Sequence, residues 1–373
     1  MAIEVVPYSA EWVSAVLAFN DRMHAGGTHW GWYGSPVDDW LPIREGRKTW
    51  REHWLAIEDG ATVRGAYALK PHEWRVRGEP QWVVDWQGPV TEGIVDRRYN
   101  TLGLRLIREM LRQHPMLYSW GHGGLEQPML LMLEKLGWRL HSTPFLLRVV
   151  RPTRFLRRNR YLRTGAARRL ALDALAFSGL GEMGIRALHA AQMLRARRST
   201  RADAEPFDHF EAWADALWEN CADDYVAIAS RDAATMNALL PAGRWPPATK
   251  LRVTRGGATL GWALVLDTQM QDEPRFGTLR VGSVIDCLAA PSDAEAVIGA
   301  AFRFLRARGV DLVMSNQAHP AWVAAFVAHG FQALPQRRVF ACSPELAKAL
   351  APFDESSRGL HLTNMDGHGP MGL

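Results

Sequence analysis

The chain has 373 residues, 47% of them hydrophobic and 22% charged, with a formal net charge of +5. That length exceeds what one hydrophobic core usually supports, so two domains are expected. No apolar run reaches the roughly 18 residues of a membrane-spanning helix, and the first residues, Met1-Ala2-Ile3-Glu4-Val5-Val6, do not read as a secretion signal.

The first half opens with a strand over residues 3–6 and a helical stretch over 10–23, apolar at Trp12, Val13, Val16, Leu17 and Phe19. A long aromatic loop follows, His29-Trp30-Gly31-Trp32-Tyr33-Gly34. Strands are expected at 54–57 and 62–69, turned by Asp59-Gly60, and at 81–86. A helix over 99–112 ends at His114-Pro115. A strand at 116–120 then leads into Gly121-His122-Gly123-Gly124. A helix over 126–136 stops at Gly137, and a strand over 144–150 closes the half.

The segment between Arg151 and Arg201 holds thirteen arginines, no lysine and two acids, Asp173 and Glu182. Its net +11 leaves −6 on the rest of the chain. Apolar runs around Leu170, Leu175, Phe177, Met183 and Leu188 make it a basic amphipathic helical segment. Three readings stay open: a face for anionic membrane, a dock for an acidic partner such as an acyl carrier protein or a tRNA acceptor stem, or a solvated helical hairpin packed between domains.

The second half repeats the order of the first: a helical region over 207–240, strands at 250–254, 259–266 and 278–287, a helix over 293–308, a strand at 310–315, a helix over 320–328 and a strand at 336–342. The tail beyond Pro352, with its Gly, Ser, His and Asp, is expected to be extended or loosely ordered. Hairpins followed by a β-α-β unit in each half imply mixed α/β sheets with helices on both faces. Cys221, Cys287 and Cys342 are widely spaced in apolar surroundings, which suits a reducing compartment. No P-loop, zinc-ligand pattern or nucleophile elbow is present.

Leu133-Glu134-Lys135-Leu136-Gly137-Trp138 resembles the LYEKLGF signature near the end of GNAT N-acyltransferase domains, and Ala325-Phe326-Val327-Ala328-His329-Gly330-Phe331 is its counterpart in the second half. The resemblance implies two GNAT-like α/β domains in tandem: residues 1–150 with an acyl-CoA site, the linker 151–205, a degenerate domain 206–350 and a tail 351–373. The family's anion turn, R-x-x-G-x-G/A, is matched in part by Arg98-Tyr99-Asn100-Thr101-Leu102-Gly103, where backbone N–H groups and the helix dipole would hold the pyrophosphate of acetyl-CoA or another acyl-CoA. Thr101 replaces the first glycine. In the second half Pro291-Ser292-Asp293-Ala294-Glu295-Ala296 is acidic at the same place and is expected not to bind CoA.

The family's acid, the signature tyrosine, is replaced by Leu133 and Phe326. Tyr118, Ser119 and His122 are therefore candidate substitutes, with Asp85 and Glu92 as candidate bases. Asp85 and Asp286 each sit in an apolar strand, where a carboxylate is either bound by a cation or poised as a base. Trp30, Trp32, Tyr33, Asp286, Asn316, Gln317 and His319 are candidates to bind the acceptor. The implied activity is transfer of an acyl group from acyl-CoA to an amine of a small molecule, sugar or glycan and envelope precursor, in a cytoplasmic bacterial protein, peripheral at most to the inner membrane face. Two alternatives are a Fem-type transferase taking aminoacyl-tRNA, the one case in which nucleic acid would be a partner, and a GNAT-fold scaffold without catalysis.

Overall fold

The computed structural model describes residues 2–36, 40–193, 201–241, 243, 248–367 and 369. The strands are β1 (Ile3–Pro7), β2 (Glu52–Glu58), β3 (Thr62–Val76), β4 (Glu79–Thr91), β5 (Leu117–His122), β6 (Arg139–Val149), β7 (Asp203–Phe207), β8 (Ala227–Ala229), β9 (Thr249–Arg255), β10 (Ala258–Gln269), β11 (Arg280–Ala289), β12 (Leu312–Asn316), β13 (Gln332–Cys342) and β14 (Leu360–His361). They join into one mixed sheet with the path β1-β2-β3-β4-β5-β13-β6-β12-β11-β10-β9-β7, while β8 pairs with β3 and β14.

The two arms of this sheet are sequential, but its centre is crossed. β13 inserts between β5 and β6, antiparallel to both, and β6 lies between β13 and β12. Each half of the chain therefore gives a strand to the other half's side of the sheet.

Helices cover both faces. Leu102–Gln113 turns Leu102, Leu106, Ile107 and Met110 onto the sheet and leaves its arginines outside. Pro128–Lys135 ends at Gly137 (φ +84°) and Pro320–Ala328 at Gly330 (φ +78°), left-handed positions that glycine takes without strain. The helices Pro152–Arg158, Ala166–Phe177 and Leu180–Met193 place Phe155, Leu156 and Ala176 against Leu279, Val281 and Leu312 of the sheet face.

Two expectations are corrected. Residues 207–240 are not one helical region. Helices Ala212–Cys221 and Ala233–Leu239 are separated by β8, whose Ala-Ile-Ala is drawn into pairing with Trp74, Arg75 and Val76 of β3 despite its helical propensity. Nor is the segment after Pro352 loose. It forms the helix Phe353–Ser356, then β14, then a turn at Asn364–Asp366 closed by a Thr363/Asp366 capping box, and residues 360–367 are buried. Its polar letters are interior because their partners are interior, as described below. His368 lies outside the described residues.

Candidate functional site

β4 and β5 run parallel but touch only at Val84↔Leu117 and Asp85↔Tyr118. Beyond that they part. β4 continues to Thr91 and β5 to His122, which leaves a fork whose inner backbone groups have no strand partner there. Unpaired strand edges are ready hydrogen-bonding templates, so the fork suits an extended ligand rich in amides.

The turn Arg98 to Gly103 lies downstream of β4, at the start of the helix Leu102–Gln113. Thr101 makes no side-chain cap and the first turn of this helix holds no acid, while the 3-10 turn Arg97–Tyr99 that leads into it is capped by Asp96, whose carboxylate accepts the Arg98 N–H at 3.0 Å. Nothing lies within 4 Å of where a Cβ on Gly103 would stand. Arg98 is exposed and pairs with Asp96 at 2.6 Å. Such an exposed pair is weak and yields readily to a phosphate. Asn100 and Thr101 are exposed and Leu102 is buried beneath them. In the second half the equivalent helix, Ala294–Ala307, carries Glu295 in its first turn.

Ser119 is the first β5 residue beyond the fork. Its Oγ lies 2.5 Å from Nε2 of His122. Residues 121–124 all have positive φ, at +132°, +67°, +78° and +142°, and His122 is the one non-glycine among them. Backbone held in this region costs on the order of 1–3 kcal/mol per strained residue and clusters at functional sites. The run ends β5 and mounts the His122 imidazole beside the Ser119 hydroxyl.

A second cluster lies under the aromatic loop. Tyr33 packs edge-on against His53 (5.1 Å) and Trp32 (5.3 Å), and the Arg51 guanidinium stands 5.7 Å from the Tyr33 ring. Arg51 donates to Gln87 (2.8 Å), and Gln87 donates to Asp85 (2.9 Å). Trp30 is exposed at the rim. Arg51 Nε, Thr49 Oγ1, Trp32 Nε1 and both ring nitrogens of His53 are buried with no hydrogen-bond partner among the described residues. Buried polar atoms are nearly always paired, so this concentration marks a place for a polar ligand or ordered water. The sequence reading overlooked Arg51, His53 and Gln87. His53 lies on β2 and Arg51 immediately before it, in a run flanked by Trp50 and Trp54, and the two-residue spacing points both to one face.

Burial, reinforced by Arg51, lowers His53 to about 3, and burial lowers His189 to about 4. The unfolded chain takes up these protons first, so the stability they supply is complete above about pH 6.5 and is lost as pH falls below it. Each is expected to cost ~2 kcal/mol by pH 5. Asp286, its pKa raised by burial, acts in the opposite sense over the same window. The net loss should appear as a falling urea midpoint between pH 7 and pH 5; a flat profile would contradict the buried neutral state of these histidines.

The remaining sequence candidates are tied into the interior. Glu92 is buried and bound by Arg22 (2.9 Å) and by Arg64 (2.9 Å), which leaves its carboxylate no free lone pair for base chemistry. Tyr118 is fully buried, its phenol is held far above its usual range by burial, and it donates to the backbone oxygen of Asp366. Asp85 is buried 3.8 Å from Nζ of Lys70, which itself donates to Met365 (3.3 Å), Asp366 (3.3 Å) and Gly367 (2.5 Å) backbone oxygens. Asp286 is fully buried. It accepts from Arg231 (3.2 Å), Thr363 (3.0 Å) and the Cys287 amide (2.9 Å), and Arg231 also holds Asp366 at 2.9 Å. Asn316 and Gln317 are buried, and His319 caps the helix Pro320–Ala328 and packs on Tyr225. These four are thus buried or half-buried against the C-terminal segment, where Leu362 accepts from the Ala318 amide and Gln317 Oε1 has no partner among the described residues.

No family model matches this chain, and no curated protein matches it by sequence. Its structure matches solved proteins along nearly its whole length. Saccharomyces cerevisiae N-myristoyltransferase with bound myristoyl-CoA and inhibitors aligns with a TM-score of 0.51 at 9% identity, over 91% of this chain and 80% of that one. A GCN5-related N-acetyltransferase from Anabaena variabilis gives 0.52 at 10% identity, over 91% and 72%. An Enterococcus faecalis protein of unknown function, described as a probable N-acyltransferase, gives 0.51 at 8% identity, over 94% and 74%. At these identities the likeness shows the fold alone, one shared with these acyltransferase structures.

Proposed function

We propose that the protein is an N-acyltransferase that carries acyl-CoA in its first half. Residues 1–150 and 206–350 are read as two GNAT-like units, 151–205 as their basic connection and 351–373 as the tail that enters between them. The observation that carries the proposal is the fork between β4 and β5 with the exposed Arg98 to Gly103 turn, open above Gly103, downstream of it. The pyrophosphate sits on the Arg98 to Gly103 turn, and the pantetheine amides pair along β4 past Asp85. The thioester then reaches the fork, beside Ser119.

The acceptor amine enters from the cluster of Tyr33, Arg51 and His53, whose unpartnered groups and aromatic rim fit a polar molecule with a stacking face, such as a sugar or envelope precursor. Its nitrogen attacks the thioester carbonyl. The C–N bond forms, the C–S bond breaks, and the amine proton passes to His122 and through the Ser119 hydroxyl to the leaving sulfur. This takes the place of the tyrosine that Leu133 replaces.

Thermal unfolding with CoA, acetyl-CoA and a long-chain acyl-CoA tests the cofactor. A ligand that binds only the native state stabilises it by ~2.7 kcal/mol at a hundred times its Kd. The Gly103→Asp side chain has room, and an acid in the first turn favours the helix, so the unliganded midpoint should hold or rise. The thioester-induced rise should vanish in this variant. A rise equal to that of the unaltered protein would remove the anion turn from the site, and no rise with any thioester would remove acyl-CoA.

A further inference from the structure

We propose that the helices Ala166–Phe177 and Leu180–Met193 form a face that docks on an anionic lipid surface. Their inner sides are occupied: Leu172 and Ile185 pack on Phe155, Leu156, Leu279 and Leu312. Their outer sides are apolar and uncovered. Leu170 is 72% exposed, Phe177 73%, Met183 62% and Leu180 56%. In the first helix only Ala176 is buried, which is unusual for a sequence so rich in leucine and alanine. At about 100° per residue, Leu180, Met183, Ala187 and Leu188 share one outward arc of about 140°, and Ala167, Leu170, Ala174 and Phe177 share another. No charged residue falls within either set.

Arginines frame this apolar face. Arg157, Arg158, Arg160, Arg168, Arg169 and Arg186 are exposed, and Arg157 lies over the Phe177 ring at 4.8 Å. The two acids of residues 152–193 are engaged: Asp173 by Arg163 (2.7 Å), and Glu182 by Arg186 (2.6 Å) and Thr153 (2.9 Å). The partner must therefore offer negative charge and apolar depth together. A nucleic acid supplies the first without the second. A second copy of this chain would supply the second while opposing like charges across a self-complementary contact. Anionic headgroups over acyl chains supply both.

The experiment is co-sedimentation of the full chain with vesicles of phosphatidylcholine, alone or mixed with phosphatidylglycerol, at low salt and at about 0.5 M NaCl, where charges are screened within a few ångströms. The chain should partition to the anionic vesicles, and salt should weaken the binding without abolishing it. Leu170→Ser, Phe177→Ser, Met183→Ser and Leu188→Ser combined should lower partition at least roughly ten-fold at low salt. Arg157→Ser, Arg168→Ser and Arg169→Ser combined should lower it by roughly five-fold per arginine and flatten the salt dependence. All these side chains are exposed or lie at the surface, so unfolding midpoints should stay those of the unaltered protein. In the unaltered chain, anionic vesicles should also protect Arg168, Arg169 and Arg186 from trypsin, a readout independent of any variant. The proposal is overturned by absence of binding to anionic vesicles, by equal binding of the four-serine variant, or by concentration-dependent dimerisation that the four-serine variant abolishes. It is equally overturned if polyadenylate binds the intact and four-serine proteins alike and strips the intact one from vesicles.

Discussion

Replacing Arg231 with alanine is expected to destabilise the protein by about 3–5 kcal/mol, because two buried carboxylates would lose their common cation. Arg231 is fully buried and bridges Asp286 of β11 to Asp366 of the C-terminal segment. Neither acid can reach water, and Lys70 already serves Asp85 and three backbone oxygens. Asp366→Asn should cost less, since the amide still accepts from Arg231 and the Thr363 N–H. Combining Arg231→Met with Asp286→Asn and Asp366→Asn should recover part of the loss, as removing both signs of charge relieves the desolvation that one sign alone suffers. Urea unfolding at pH 7 reads all of these. A loss below ~1 kcal/mol for Arg231→Ala would mean that the two acids are neutral or solvated in the folded protein.

His122→Gly is expected to separate activity from stability. The residue holds φ +67° inside a run of three glycines, so glycine relieves backbone strain and should leave the unfolding midpoint unchanged or higher. Thiol release from acetyl-CoA, followed across a panel of amines, should fall by roughly 10²–10⁴-fold in kcat, with KM for acetyl-CoA little changed. Ser119→Ala should fall less, and the double variant should match His122→Gly alone, because one relay is broken in each case. Full additivity of the two losses would show that the pair does not act as a unit.

Much of the fold is visible in local pattern. The strand-helix-strand-helix order, the two helices stopped by Gly137 and Gly330, and the basic helices after Arg151 all follow from period and turn chemistry. The pattern also leaves Asp85 and Asp286 as either cation-bound or poised bases, and in the structure each has a cation beside it. The identity of those cations is not local. Arg231 lies 55 residues from Asp286 and 135 from Asp366. Thr363, Asp366 and His361 look like solvent-facing letters until that partner is placed beside them. The same blindness hid Arg51 and Gln87, ordinary surface residue types that become buried because β2, β3 and β4 carry them under the aromatic loop. It also left unseen that Asn316, Gln317 and His319, at a strand end, are packed against the C-terminal segment, where Leu362 accepts from the Ala318 amide.

The exchange of β6 and β13 bears on how the molecule comes into being. Ser119 pairs with Ala341, so β5 gains its neighbour only after 222 further residues have been made, a delay of roughly 10–45 s at ~5–20 residues per second. Throughout that interval the first half exposes a strand edge at its middle. It has nothing of its own with which to close that edge, since β6 binds on the far side of the missing strand. Severing the chain within the arginine-rich connection should therefore give two fragments that persist only as a reconstituted pair, each supplying the other's central rung. The exchanged strands tie each half's side of the sheet to the other, however strongly the repeated order of elements suggests two modules.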